Sequence, residues 1–63
     1  MRSNIETLVL VYVRSKNRRA LEEMRELRTK LLEDLRFSSN PSREALDMIH
    51  DDLRAIEEGL KQL

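Results

Sequence analysis

Cysteine is absent from the chain, and tyrosine, phenylalanine, glycine, proline and histidine each occur once. Without cysteine there is no disulfide and no thiolate metal site. A single histidine, His50, leaves little from which to build an imidazole metal centre. Two aromatics, Tyr12 and Phe37, are too few for a base-stacking platform. The scarcity of glycine and proline, with 38% of residues charged, suits helices better than sheets. Charge of one sign is lacking too: twelve basic and twelve acidic residues cancel, so no global field drives the chain onto nucleic acid or anionic lipid. The longest apolar run, Leu8 to Val13, is far short of the roughly 20 residues that cross a bilayer. It is also shorter than a secretory signal core. The expectation is a soluble, cytoplasmic protein with no membrane contact and no cofactor.

What remains is 63 residues, one domain at most. A chain of this size buries only about 60% of its unfolded surface and sits near the limit of independent folding. With disulfides and thiolate metal sites excluded and a histidine-built site thin, self-association is the remaining source of stability.

One break divides the chain. Phe37-Ser38-Ser39-Asn40-Pro41-Ser42 clusters turn formers, and Asn40 before Pro41 reads as a helix N-cap followed by proline in the first turn. A second start signal, Ser3-Asn4-Ile5-Glu6, has capping-box spacing. The expected organisation is a single helical-hairpin domain over 1–63: a helix from about 4 to 37, a turn at 38–40 and a helix from about 41 to 62.

The second helix carries the clearest periodicity. Leu46, Ile49, Leu53, Ile56, Leu60 and Leu63 are spaced 3, 4, 3, 4, 3, an unbroken heptad seam. Leu at a and Ile at d shift parallel coiled coils away from two strands, which favours four helices here. Ala45, Met48, Asp52, Ala55 and Gly59 form a flank beside that seam. Its small residues either let another helix approach closely or simply favour helix, with Gly59 loosening the last turn. On the first helix Leu10, Val13, Asn17, Ala20, Met24, Leu27 and Leu31 continue a seam, with Leu21, Leu32 and Leu35 beside it. Asn17 there is either a buried register-setting polar residue or the point where the hairpin core ends. Thr7 to Val13, rich in β-branched residues, could also be a strand. A lone strand would find no partner in so short a chain, so helix is the reading adopted.

Length then predicts assembly. Helices over 4–37 and 41–62 would span about 50 and 33 Å, so the second could not cover the first beyond about residue 16. The uncovered stretch is the segment that is apolar all round, and such a patch marks an interface. The fold class expected is an all-α antiparallel hairpin that dimerises into a four-helix bundle. Its dimer core would be Leu46, Ile49, Leu53, Ile56, Leu60, Met24, Leu27 and Leu31, and Val9, Tyr12 and Val13 its interface residues toward a second copy or another protein.

Other sites weigh less. Arg14, Lys16, Arg18 and Arg19 are the basic cluster, and Arg14, Arg18, Arg25 and Arg36 share a helical stripe that could track phosphates. Glu22, Glu26 and Glu33 lie directly beside that stripe and would repel phosphate. Residues 1–40 carry nine basic and six acidic groups and residues 41–63 three and six, so the halves are +3 and −3. That balance favours charge complementarity between helices, with exposed pairs such as Glu57–Lys61, over nucleic-acid binding. Asp47-x-x-His50 has the spacing of di-metal carboxylate helices, but both residues fall toward the rim of the apolar face. No nucleophile–base pattern or phosphate loop is present, so no enzyme activity is expected.

In its length, its Ser3-Asn4-Ile5-Glu6 start, its Ser38-Ser39-Asn40-Pro41 turn and its Leu46-to-Leu63 heptads, the chain resembles the small helical-hairpin proteins of Sulfolobus spindle-shaped viruses, the fuselloviruses. The resemblance covers the whole chain. It implies a homodimeric antiparallel four-helix bundle acting as an adaptor in a larger assembly within the host cytoplasm. A plasmid copy-number regulator that binds paired RNA hairpins shares this architecture, so RNA binding enters only as analogy.

Overall fold

The computed structural model describes residues 4–63. It is all-α, with three helices: α1 (Asn4–Arg14), α2 (Arg18–Arg36) and α3 (Arg43–Lys61). The β-branched stretch Thr7 to Val13 is helical, and the described residues contain no strand. Ser3 of the expected capping box lies outside the described residues.

The long first helix expected over 4–37 is instead two helices broken at Ser15-Lys16-Asn17. Asn17 causes the break: its Oδ1 accepts from the Ala20 amide at 3.2 Å, capping α2. Ser15 reinforces it, its hydroxyl donating to the Val11 carbonyl at 3.0 Å in the last turn of α1. Between them Lys16 takes φ 56°, the left-handed conformation that ends helices, here without glycine's freedom. The chain then reverses and α1 folds back onto the hairpin.

The second turn also moves. α3 is capped by Ser42, whose Oγ accepts from the Ala45 amide at 3.3 Å, and not by Asn40. The residue before a proline is disfavoured in the helical conformation, and the Asn40 amide donates to Ser38 Oγ inside the loop. Ser42 is then the first residue with a side-chain acceptor beyond the proline.

Cross-helix contacts fix the topology. Arg18 reaches the Leu63 carbonyl and Arg28 reaches Asp52, so α2 and α3 are antiparallel. Val9 meets Gly59, while Val13 and Lys16 border Gln62 and Leu63, so α1 runs parallel to α3. An 11-residue α1 is about 16 Å long against about 28 Å for the other two. It therefore covers only the half of the hairpin that holds the start of α2 and the end of α3.

The core sits in that half. Ile5, Val9, Leu21, Ile56 and Leu60 are buried, with Tyr12, Val13, Met24 and Leu63 packed against them. Gly59 is what lets α1 in. A Cβ there would lie 2.5 Å from Val9 Cγ1 and 3.3 Å from Val13 Cγ2. The small flank of α3 thus admits a neighbouring helix, and the neighbour is the chain's own α1.

Candidate interaction surface

Folding α1 back reverses where apolar surface is left uncovered. The N-terminal segment expected to overhang is instead the covered one: Val9 is buried and Tyr12 and Val13 are half-buried inside the bundle. Its outward side keeps Leu8, Leu10 and Val11 partly in solvent.

A second uncovered face lies at the other end, around the α2–α3 turn. On α2 the stripe Ala20, Met24, Leu27, Leu31 begins half-buried at the level of α1 and emerges beyond it, with Leu27 59% and Leu31 51% exposed. Across from it on α3, Met48 is 66% exposed, on the same flank as Ala55 and Gly59. Glu6, in the first turn of α1, borders Met48 and Asp52, so the cover given by α1 stops there. Leu35, Leu46, Ile49 and Leu53 are half-buried between the two helices. Phe37 stands 88% exposed at its tip. With no third helix among the described residues in this half, the seam does not bury it.

Of the residues expected to form a dimer core, Ile56 and Leu60 are buried and Met24 half-buried within one chain, whereas Leu27 and Leu31 face outward. Where the covered and uncovered halves meet, Arg28 and Asp52 form the one ion pair between helices among the described residues, at 3.7 Å. Each side chain is about three-quarters buried. Arg28 Nε has no hydrogen-bond partner within bonding distance. The exposed ion pairs are local to single helices: Arg18–Glu22, Arg19–Glu23 and Lys61–Glu58, the last with a different glutamate from the one expected.

Arg14, Lys16, Arg18 and Arg19 gather at the α1–α2 turn, opposite the apolar tip. The break takes Arg14 off the axis of α2, so the four-arginine stripe expected along one helix is not continuous. Arg18 and Arg19 are each engaged by a glutamate one turn on. His50 and Asp47 are exposed, and no cluster of three potential metal ligands occurs among the described residues. The hydroxyls of Ser15, Ser38 and Ser42 are bonded to backbone groups of turns and helix ends. No described helix is long and apolar enough to cross a membrane.

No known family model, curated protein or solved structure matches the chain.

Proposed function

We propose that the protein is a non-enzymatic structural or adaptor module that works as a homodimer, with the turn-end face of α2 and α3 as its contact. The observation that carries this reading is the exposure of Leu27, Leu31 and Met48 side by side where the bundle lacks a third helix. Two copies related by a two-fold axis would lay these faces together, giving four helices in cross-section. Charge favours it. α2 carries six basic and five acidic residues and α3 three and six, so an arrangement with α2 of one copy on α3 of the other opposes unlike net charge. Phe37 at each tip and the outer side of α1 stay available to a further protein. The likeness to fuselloviral hairpin proteins points to the same kind of assembly, although α1 makes this chain more than a plain hairpin.

Sedimentation across a dilution series tests the dimer. A mass of twice the 7.5 kDa chain at high concentration, falling toward 7.5 kDa on dilution, is expected. Leu27→Glu with Leu31→Glu should abolish the heavier species and leave helicity unchanged. A 7.5 kDa mass at every concentration overturns the reading.

A second reading rests on the basic end. Arg14, Lys16, Arg18 and Arg19 surround the start of α2, whose first turn holds no acidic residue, an arrangement that would attract phosphates. Under this reading the protein binds RNA or duplex DNA with steep salt dependence, and alanine at the four positions abolishes binding. The glutamate partners of Arg18 and Arg19 weigh against it.

A further inference from the structure

We infer that α1 is an exchangeable arm: the Ser15–Asn17 hinge opens, α1 straightens onto α2, and α1 of a second copy takes its place against Gly59. This extends the self-association reading to a second contact, at the opposite end of the molecule from the turn-end face.

Three observations carry it. The hinge is strained, because Lys16 holds φ 56° with a full side chain, a conformation that costs an L-residue stability which a helical one recovers. The hinge is also compatible with helix. Ser15-Lys16-Asn17 contains neither glycine nor proline, and the seam Leu10, Val13, Asn17, Ala20, Met24, Leu27, Leu31 keeps a 3, 4 spacing straight across the break. That periodicity belongs to one continuous helix, whereas the folded-back form buries the neighbouring face of α1, Ile5 and Val9 with Val13 at its edge, and leaves Leu10 outside. Finally, the occupant is specified by the cleft itself. Gly59, Ile56, Leu60 and Leu21 already receive α1 of their own chain, so α1 of another copy makes every one of those contacts. Exchange therefore conserves the core while relieving two strained hinges, the situation in which short strained connections swap.

Leu10 and Gln62 face the same hollow between α1 and α3 and provide the test. Because the native chain has no cysteine, single Leu10→Cys and Gln62→Cys chains, one enlarged by a tag, can be mixed under native conditions and oxidised. Exchange predicts a Leu10–Gln62 heterodisulfide between copies, well above that from a control pair with Arg43→Cys in place of Gln62→Cys. Lys16→Gly in both chains should reduce it by about tenfold per hinge, since glycine removes the strain of the closed form. Lys16→Ala keeps the strain and should leave it undiminished. If mixed chains give no excess over the control, the arm does not exchange. Adding Leu27→Glu and Leu31→Glu separates the two contacts. A disulfide that survives these changes, while the turn-end dimer is lost or never forms, leaves the arm standing alone. A disulfide that vanishes with them refutes independent exchange.

Discussion

Gly59→Ala sets two known effects against each other at one atom. In an exposed helix the change would stabilise by about 0.8–1 kcal/mol, the difference in helix propensity. Here the added methyl lies 2.5 Å from Val9 Cγ1, closer than carbon atoms approach, and 3.3 Å from Val13 Cγ2. Val9 is β-branched, helical and 5% exposed, so its methyls cannot rotate away freely. Either α1 withdraws or the core is overpacked, at a cost of about 1–3 kcal/mol. Set against the propensity gain, the clash should win, for a net loss of up to about 2 kcal/mol, or a fall in Tm of up to roughly 15 °C for a domain of this size. Val9→Ala alone should also destabilise, by about 1–3 kcal/mol, because it empties the same spot. Together they should do less harm than their sum, since the alanine methyl at 59 fills space vacated at 9. A coupling of about 1 kcal/mol or more in the double-mutant cycle, measured by urea melts, is the expected signature. Limited trypsin digestion gives a second readout, because withdrawal of α1 should speed cleavage after Arg14 and Lys16. A Gly59→Ala protein more stable than the parent by the full propensity term would refute the packing of α1 on α3.

Three further outcomes are expected. Asn17→Ala removes the cap of α2 and should cost about 1 kcal/mol by thermal melt, whereas an uncapped seam position would tolerate alanine well. A double-mutant cycle on Arg28 and Asp52 should return no more than about 1 kcal/mol, declining with added salt, because both side chains keep about a quarter of their surface in water. Ile56→Ala, at a position with no solvent exposure, should cost about 2–5 kcal/mol, while Phe37→Ser at the exposed tip should leave the melting temperature within error and affect only association.

The helical class, the α2–α3 turn and the seam from Leu46 to Leu63 were legible because heptad spacing and turn chemistry are local signals. The α1–α2 break was not. Its residues, Ser15, Lys16 and Asn17, are all tolerated in helices, and the apolar seam runs straight across them. Asn17 accordingly read as either a buried register-setting residue or the end of the hairpin core, and it is the cap of α2. One signal was present: an asparagine three residues before Ala20, preceded by a serine able to bond back into the previous turn. It lacked the glutamate that completes a capping box, since Ala20 occupies that place. That single misreading displaced the proposed site. A straight first helix leaves its own N-terminus bare, whereas a folded one covers that end and bares Leu27, Leu31 and Met48 instead. The flank ending in Gly59 left open whether its small residues admit a neighbour or merely favour helix; Val9 and Val13 pack closely on it, and periodicity cannot say which helix approaches.

The small core sets how such a molecule behaves. Five buried apolar side chains, three of them from α2 and α3, hold a fold of three helices. α1 contributes Ile5 and Val9, and it is only 11 residues long. A helix of that length is marginal in water by itself, so its order depends on what it rests against. A detached α1 consequently has two ways to stay helical: by continuing α2 through the hinge, or by docking in a Gly59 cleft. Straightening satisfies the first and exposes Ile5, Val9 and Val13, which in turn makes the second favourable on another copy. The same shortage of length leaves Leu27, Leu31 and Met48 bare at the far end, because no segment among the described residues reaches them. Both proposed contacts thus have one cause: a hairpin of 28 Å provided with only 16 Å of third helix.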